Sequence, residues 1–587
     1  MATGTRSKVT DMHMLNRTRP FILAAVSLAA ALLALGVFTL PSPQGKEHDG
    51  FSAVRVAEDI AVISKDYRSV AHPQERAKVC EYLAGRLEEM GGDVTLFRYD
   101  SLKNQNGSAN YVFDVVNIMA EFPPVTPSAD TTWLMMIAHY DSRFENYLPD
   151  GPVWSYGAAD DGYGVGTILE TVSCLLKQQQ EWKQGIKVLF TDAEEAGLVG
   201  MKALWKNDPQ ALDNVGLIMN VDSRGTYGPA LLFEVSSPDE RLIHLYKAAK
   251  APYAYSLTNV VYRYMPNGTD FTVVKDVIPG MNFSNVADIN SYHTDLDNFD
   301  NISLKTIQHY GAQILPGAEK YVTDPVYSDK DYLKSGKQTV NFTIPVLGLV
   351  CFSSTIYKVV NVALFVIFLM LLAIEGLRGR IKASRVFRNS CITLVSAIGI
   401  MALGELVAYV CAKIEGVVFK PFGILQGIGC DNWVSLVTVI LVLAVTVLIY
   451  LHFRASAVRQ TSGSMRASAA YNAAMKYAYS KLYGTLTLFF LFSAALVFTL
   501  GENMMFIIPL AFATVALVLW HLTSLKLWLV ASMAVIILHA VSFLYVLFMA
   551  LTIGSLVVVC MIAFLDFMLL MSMADLYVSY QNKASKN

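Results

Sequence analysis

The hydrophobic residues of this chain fall into two regions that are separated by a long polar one. The first region is an apolar run from Phe21 to Leu40, and the second covers almost everything after residue 345. An apolar run of about 20 residues is long enough to cross a bilayer as a helix. The pattern therefore predicts a first membrane helix within residues 1–44, a soluble domain over 45–340 and a membrane domain over 345–587.

Seven further apolar runs are predicted to cross the membrane after the soluble domain. They lie near 355–376, 391–411, 433–453, 484–500, 503–520, 525–545 and 550–573. The last two are separated only by a weak break from Thr552 to Gly554, so one crossing fewer is the alternative. A signal peptide is the alternative for the first run, because basic residues precede it. The run is longer than the apolar region of a usual signal peptide, and this length favours a retained anchor.

Positive charge in the short connections predicts the orientation of these crossings. Basic residues cluster in two of the connections: Arg378, Arg380, Lys382, Arg385 and Arg388 in one, and Arg454, Arg459, Arg466, Lys476 and Lys481 in the other. Short loops rich in Lys and Arg stay on the cytoplasmic side. With eight crossings, the N-terminus and the Lys583/Lys586 tail are then cytoplasmic, and the soluble domain lies outside the cytoplasm.

Within the soluble domain, segments of helical length alternate with short apolar runs. The segments with a helical pattern are 57–92, 164–179 and 196–205, and the strand-like runs are 133–138, 186–190, 216–221, 231–235 and 278–283. This alternation predicts an α/β fold in which helices cover a mixed, mostly parallel sheet. Active sites in such folds lie at the carboxyl ends of the strands.

The composition supports this division and excludes some functions. Of the 587 residues, 54% are hydrophobic and 16% are charged, whereas a soluble protein has about 25% charged residues. The net charge of −2 argues against a nucleic-acid partner. The seven cysteines include no CxxC pair that would indicate a thiolate metal site. The predicted partners are a peptide substrate and the lipid bilayer; the oligomeric state stays open.

Acidic residues and histidines follow several of the predicted strands. His139 and Asp141 come directly after one strand, so that Asp141 can support the second ring nitrogen of a metal-bound His139. The others are Asp160 and Asp161 in a glycine-rich segment, Glu194 and Glu195 after a strand, Asp222, and His293. Each has an ordinary interpretation alone: a surface turn for HxD, a helix cap for one Asp, and a solvated helix start for the glutamates, which Asp192 would cap.

Taken together, these groups predict one metal site. Carboxylates and imidazoles suit zinc, and five ligands that share one Asp suit a pair of zinc ions. Two metal ions can polarise a carbonyl and activate a water between them. Glu194, beside the ligand Glu195, would then act as the general base for that water.

The motifs HxD, GAxDD, DAEExGLxG, NxD and YHT occur in this order and resemble the two-zinc aminopeptidases of metallopeptidase family twenty-eight over about residues 50–325. The resemblance implies that Asp160 bridges two zinc ions, with His139 and Asp222 on one ion and Glu195 and His293 on the other. It also implies that Glu194 is the base and that Asp161 and Asp297 support the ligands. No tyrosine matches the family's transition-state tyrosine; Tyr264 is nearby but off register.

The flanking membrane regions extend the resemblance to the branch that contains endoplasmic-reticulum metallopeptidases, vacuolar membrane peptidases and bacterial relatives. The expected activity is that of an exopeptidase, most simply an aminopeptidase. The family's substrate-pocket turn resembles the segment with Asp270 and Phe271. Arg224, two residues beyond a predicted ligand, would either hold a substrate carboxylate or pair with Asp161 or another acid.

Two other functions stay open. Glutaminyl cyclases share the fold with one zinc, but Asp161 after the bridging Asp, and Tyr292 where cyclases carry tryptophan, favour the peptidase. A transporter or receptor with a substrate-binding ectodomain is the second alternative, although no ligand or base is missing. The sequon at Asn282 lies in a strand-like run and the one at Asn267 near the presumed pocket, which favours a bacterial inner membrane and periplasm over an endoplasmic-reticulum or vacuolar lumen.

Overall fold

The computed structural model describes residues 3–36, 39–103, 111–148, 151–265, 267–344, 347–459 and 467–579. The Lys583/Lys586 tail and Arg466 lie outside the described residues. The chain forms two compact units. One comprises Met1–Val37, Ile344–Val346 and Thr355–Asn587, and the other comprises Phe38–Thr343 and Leu347–Ser354.

The first helix, α1 (Thr3–Leu35), belongs to the apolar unit. The polar unit contains the helices α2 (Ala53–Ile63), α3 (Pro73–Glu89), α4 (Gly162–Leu176), α5 (Val199–Asn207), α6 (Glu240–Tyr246), α7 (Ser256–Tyr262), α8 (Asp270–Val274) and α9 (Leu304–Thr323). Its strands are β1 (Asp93–Lys103), β2 (Val112–Phe122), β3 (Trp133–His139), β4 (Asn146–Leu148), β5 (Gly151–Val153), β6 (Gly185–Thr191), β7 (Val215–Ser223), β8 (Tyr227–Val235), β9 (Gly280–Ala287), β10 (Thr339–Ile344) and β11 (Gly348–Ser353).

Seven strands form the main sheet in the order β1-β2-β6-β3-β7-β9-β8. The central strands β6, β3, β7 and β9 run parallel, whereas β1, β2 and β8 add antiparallel edges. His139 at the end of β3 pairs with Thr191 at the end of β6. The carboxyl ends of the parallel strands therefore meet at one edge of the sheet.

The side chains of β3 show how the sheet is covered on both faces. Leu134 and Met136 are buried in one hydrophobic cluster with residues of α2, α4 and α9. Met135 and Ile137 point the other way and are buried with residues of α5 and α8. Because successive side chains of a strand alternate between faces, this β3 pattern gives a three-layer α/β fold. The predicted fold class and all five predicted strands are confirmed.

The single helix expected over 57–92 is wrong. The segment contains α2 and α3, and residues 64–72 between them are not helical. Pro73 is the first residue of α3, a position where a missing N–H costs nothing. The non-helical connection carries Arg68, whose side chain reaches the functional site.

In the described part of the chain, the apolar unit contains α1 and seven helices after residue 353: α10 (Ser354–Leu377), α11 (Ala383–Ile414), α12 (Asp431–Arg459), α13 (Ala467–Thr499), α14 (Met504–Thr523), α15 (Leu527–Leu551) and α16 (Leu556–Ser579). The 53 residues from Leu527 to Ser579 are broken by a 3₁₀ turn over Thr552–Ser555. This leaves α15 with 25 residues and α16 with 24, each long enough to cross a bilayer. The hydroxyl of Thr552 donates to the carbonyl of Leu425 (3.1 Å), in the connection between α11 and α12.

Part of the loop prediction is wrong, because six of the basic residues lie inside helices and not in the connections: Arg385 and Arg388 in α11, Arg454 and Arg459 in α12, and Lys476 and Lys481 in α13. Arg378, Arg380 and Lys382 do lie in the connection between α10 and α11. Lys481 is fully buried, and its ammonium donates to the hydroxyl of Thr393 in α11 (2.8 Å). The helix extends further towards its N-terminus than the apolar run does, and this interhelical contact provides the buried lysine with a partner.

Candidate metal centre

The predicted ligands converge at the carboxyl edge of the sheet. His139 is the last residue of β3, Asp222 lies near the end of β7, and Glu195 follows β6. Asp160 precedes α4, and His293 lies in the loop after β9. The parallel strands therefore bring together residues that are up to 154 positions apart in the sequence.

The five side chains form two groups that share one residue. His139, Asp160 and Asp222 each place a ligand atom within 4.8 Å of the others, and so do Asp160, Glu195 and His293. The two oxygens of Asp160 face different imidazoles: Oδ1 lies 3.1 Å from Nε2 of His139, and Oδ2 lies 3.2 Å from Nε2 of His293. This is the arrangement expected of a carboxylate that bridges two ions.

The second group has three buried atoms that one bound cation would satisfy together. Nε2 of His293, Oδ2 of Asp160 and Oε1 of Glu195 are buried and have no hydrogen-bond partner. Nevertheless, the imidazole nitrogen lies only 2.8 Å from the glutamate oxygen, so the three atoms are close to one another without hydrogen-bond geometry. Nitrogen and oxygen donors in this number suit zinc. The residues present therefore fit a metal ion.

Charge leads to the same conclusion. Burial, followed by the neighbouring carboxylate of Asp160, raises the pKa of Asp222 to about 7. Burial also raises the pKa of Glu194 well above its usual range, and Asp222 and Glu195 contribute to this shift. Carboxylates that oppose one another's ionisation in a buried site become favourable beside a cation.

Asp141 supports the site from two directions. The Nδ1 atom of His139 lies 3.0 Å from the backbone carbonyl of Asp141 and 3.4 Å from its carboxylate. The same carboxylate accepts hydrogen bonds from the backbone N–H groups of Glu194 (3.0 Å) and Glu195 (3.3 Å). Asp141 thus orients one predicted ligand and fixes the turn that carries the predicted base and another ligand.

Asp161 and Asp297 hold the backbone around Asp160. The carboxylate of Asp161 caps α4 by accepting from the N–H of Gly164 (2.9 Å), and it also accepts from the N–H of His139 (3.3 Å). The carboxylate of Asp297 accepts from the N–H groups of Ala159 (2.6 Å) and Asp160 (3.2 Å). The helix-cap interpretation of the Asp pair is therefore right for Asp161 but not for Asp160.

The glutamates do not begin a helix, contrary to the prediction. Ala193 and Leu198 have left-handed backbone angles (φ of 57° and 60°), so Glu194 and Glu195 lie in a turn and α5 begins only at Val199. Asp192 is not a cap; its carboxylate lies 3.4 Å from the guanidinium of Arg76 and accepts from a backbone N–H of β2 (3.0 Å).

The model of peptidase family M28 matches residues 117–317, which include all five predicted ligands and Glu194. Residues 117–317 form an M28 domain. Endoplasmic reticulum metallopeptidase 1 of Mus musculus is 22% identical over 386 residues, covering 63% of this chain and 41% of that protein. A vacuolar membrane protease of Phaeosphaeria nodorum is 25% identical over 315 residues, covering 48% and 31%.

The chain spans less than half the length of these curated relatives. Among solved structures, Porphyromonas gingivalis glutaminyl cyclase has a TM-score of 0.37 and 20% identity, covering 47% of this chain and 100% of that one. A Zn-dependent exopeptidase from Parabacteroides distasonis has a TM-score of 0.36 and 20% identity, covering 47% and 99%. The family match supports a zinc peptidase, and the apolar helices together with the membrane relatives support a membrane protein.

Two residues of the M28 domain contact the predicted ligands but were not predicted. Nη1 of Arg143 donates to Oε2 of Glu195 (3.1 Å), which leaves Oε1 for a metal ion. Burial opposes ionisation of Glu195, but His293 and then Arg143 lower its pKa. Tyr292 stacks on His293 with 3.6 Å between ring centroids. The position of Arg143 directly after HYDS was its only sequence signal.

A third unpredicted residue is Tyr262, at the end of α7. After burial, the nearby carboxylates of Glu234, Asp222 and Glu194 raise the pKa of its phenol, so the hydroxyl is protonated and lies near the site. Tyr264, the tyrosine nearer in sequence to the pocket motif, is 79% exposed. Tyr262 is the last residue of α7, and its ring packs against Phe233 of β8 with 4.9 Å between ring centroids.

The predicted substrate turn is buried within the fold. Phe271 is fully buried in a hydrophobic cluster with residues of α5, and its contact with substrate stays a prediction. Asp270 is also buried and accepts a hydrogen bond from the hydroxyl of Thr191. Arg224 forms no ion pair with Asp161 or with any other acid among the described residues.

Arg68 holds the two loops that carry His139 and Asp160. Its guanidinium is fully buried and donates to the carbonyls of Tyr140 (2.6 Å), Gly157 (2.7 Å) and Tyr156. Burial lowers the pKa of Arg68, whereas the nearby carboxylates of Asp297, Asp141 and Asp160 raise it. This cation therefore offsets part of the negative charge from behind the ligands.

Replacing Arg68 with methionine is expected to lower the melting temperature of the polar unit by about 5–15 °C, because three buried carbonyls and several carboxylates lose their cation. Thermal unfolding in detergent, followed by intrinsic fluorescence, measures the shift. Arg263→Gln, at an exposed arginine of the same domain, is the matched control. An unchanged melting temperature in Arg68→Met would show that the loops are held by other contacts.

Proposed function

We propose that this chain is a membrane-anchored peptidase that binds two zinc ions and removes residues from the N-terminus of peptides outside the cytoplasm. The observation that carries the proposal is the sharing of Asp160 between two groups of metal-binding side chains. The positive charge of the short connections between membrane helices supports a location of the peptidase domain outside the cytoplasm. A bacterial inner membrane and periplasm are favoured over an organelle lumen.

The side chains have separate tasks in this proposal. His139 and Asp222 would hold one ion, Glu195 and His293 the other, and Asp160 both. When bound, the ions supply Lewis acidity that polarises the peptide carbonyl and makes water more acidic. Glu194 belongs to neither group of ligands, and its raised pKa suits a carboxylate that accepts a proton from the attacking water and passes it to the leaving amine.

Tyr262 provides a hydrogen-bond donor on the same side. Its phenol is protonated and lies near Glu194 and Asp222. A donor placed before the reaction can stabilise the negative charge that develops on the carbonyl oxygen. The proposal therefore assigns proton transfer to Glu194 and oxyanion stabilisation to Tyr262.

The full chain, purified in detergent, is expected to contain about two zinc ions and to hydrolyse peptides with a free N-terminus. Chelation should abolish the activity, and zinc should restore it. Metal analysis and mass spectrometry of the products, with N-acetylated peptides as the control, measure both properties.

The other outcomes identify the alternatives. One zinc per chain together with cyclisation of N-terminal glutamine would identify a glutaminyl cyclase. A fully metallated chain that hydrolyses no peptide would identify a binding ectodomain instead.

A further inference from the structure

Arg224 is a partly buried arginine two residues after the predicted ligand Asp222. Its backbone N–H donates to the carbonyl of Asn285 in β9 (3.0 Å), which ties the end of β7 to the neighbouring strand. The following residue, Gly225, runs so close to Ala287 that a Cβ atom would lie 1.9 Å from the Ala287 carbonyl oxygen. The backbone on both sides of Arg224 is therefore held in place.

The charge of Arg224 has no anionic partner in the described part of the chain. The other two arginines near the site are bonded: Arg68 to backbone carbonyls and Arg143 to Glu195. The guanidinium of Arg224 has no carboxylate oxygen within 4.0 Å and interacts electrostatically with Tyr292, Tyr262 and Asp222. Charged groups that leave water are normally paired, so an anion from outside the chain would complete this site.

The position of Arg224 limits where that anion belongs. Arg224 follows Asp222 by two residues at the end of a strand, so their Cα atoms are about 6–7 Å apart. One residue of an extended peptide spans about 3.3 Å. An anion bound by this arginine therefore lies within a residue or two of the bond that the proposed metal centre would cleave.

We propose that Arg224 is a specificity-determining residue that binds a carboxylate of the substrate close to the scissile bond. The planar guanidinium suits a carboxylate, which can accept two parallel hydrogen bonds from it. In a peptide, that carboxylate is either the C-terminus of a short substrate or an acidic side chain next to the cleaved bond. This proposal rests on the proposed peptidase function, but its binding test does not require hydrolysis.

Four matched peptides separate the two sources of the carboxylate: Leu-Ala, Leu-Ala amide, Leu-Glu amide and Leu-Gln amide. The full-length wild type should favour either the free acid over its amide or the Glu over the Gln peptide. In Arg224→Gln, kcat/KM for the favoured peptide should fall by about 10- to 100-fold, mainly through KM, while the two peptides without a carboxylate change little. Arg224→Lys should retain part of the preference, and Arg263→Gln should retain all of it.

Calorimetric titration of the same peptides into zinc-loaded Glu194→Gln, with and without Arg224→Gln, provides the readout that is independent of turnover. A preference for carboxylate peptides that disappears with Arg224→Gln supports the proposal, even if the wild type hydrolyses no peptide. The absence of hydrolysis by the wild type would reject the peptidase function and not the role of Arg224 in binding. Two results would overturn the role of Arg224. One is equal binding of the peptides with and without a carboxylate, and the other is an equal loss of affinity for all four peptides in Arg224→Gln.

Discussion

Replacing Glu194 with glutamine is expected to lower kcat for peptide hydrolysis by about 10²- to 10⁴-fold and to leave the zinc content unchanged. Glutamine has nearly the same shape but cannot accept the proton of the attacking water. Glu194 lies outside both groups of metal-binding side chains. Its backbone N–H donates to the carboxylate of Asp141, and the substitution leaves this hydrogen bond in place. Steady-state kinetics and metal analysis on the same preparation test both parts.

Glu181→Gln is the matched control for this experiment, because it makes the same chemical change at an exposed position of the same domain and should leave kcat unaffected. Loss of zinc in Glu194→Gln would make this residue a ligand. Retention of wild-type kcat would mean that another group accepts the proton.

The central sheet could be predicted because its strands are almost completely buried. The strand β6, for example, is buried at every position and reads Gly-Ile-Lys-Val-Leu-Phe-Thr. It therefore appears in the sequence as an apolar run that only Lys187 interrupts. The edge strand β1 has only one buried residue, Tyr99, so it has no hydrophobic pattern to distinguish it from a loop. The strand β1 was missed for this reason, whereas β2 was missed although seven of its eleven residues are buried.

Three of the predicted ligands could be found because His139, Asp222 and Glu195 lie at the ends of parallel strands or shortly after them. Asp160 and His293 lie in loops and were found from their motifs. Chain connectivity then determines that residues at the strand ends meet. The contact of Arg143 with Glu195 and the approach of Tyr262 to Glu194 depend on how loops and a short helix fold back over this edge. No spacing in the sequence encodes those contacts.

Left-handed backbone angles explain the wrong helix start at Glu194. An acidic pair before AGLVG resembles an ordinary N-terminal helix turn, but Ala193 and Leu198 both have positive φ. Such angles are uncommon for residues other than glycine, so residue types do not reveal them. The result is a turn in which the N–H groups of Glu194 and Glu195 donate to the carboxylate of Asp141. A helix that began at Glu194 would direct these N–H groups elsewhere.

Replacing Asp160 with asparagine is expected to remove most of both zinc ions, whereas Asp222→Asn should leave about one ion per chain. The reason is geometric: the two oxygens of Asp160 face His139 and His293 separately, and a carboxamide offers only one oxygen. Asp222 contributes to one group alone. Loss of bound metal also removes the stabilisation that binding gives to the folded state, so the melting temperature should fall further in Asp160→Asn than in Asp222→Asn.

Metal analysis and thermal unfolding of these two variants, beside the exposed control Asp213→Asn, measure the asymmetry. Equal zinc contents in Asp160→Asn and Asp222→Asn would contradict a shared carboxylate and indicate a single ion. The comparison is informative because both residues are acidic and both lie at the same sheet edge. Only their number of metal-facing oxygens differs, so a difference in zinc content follows from bridging and not from the loss of one negative charge.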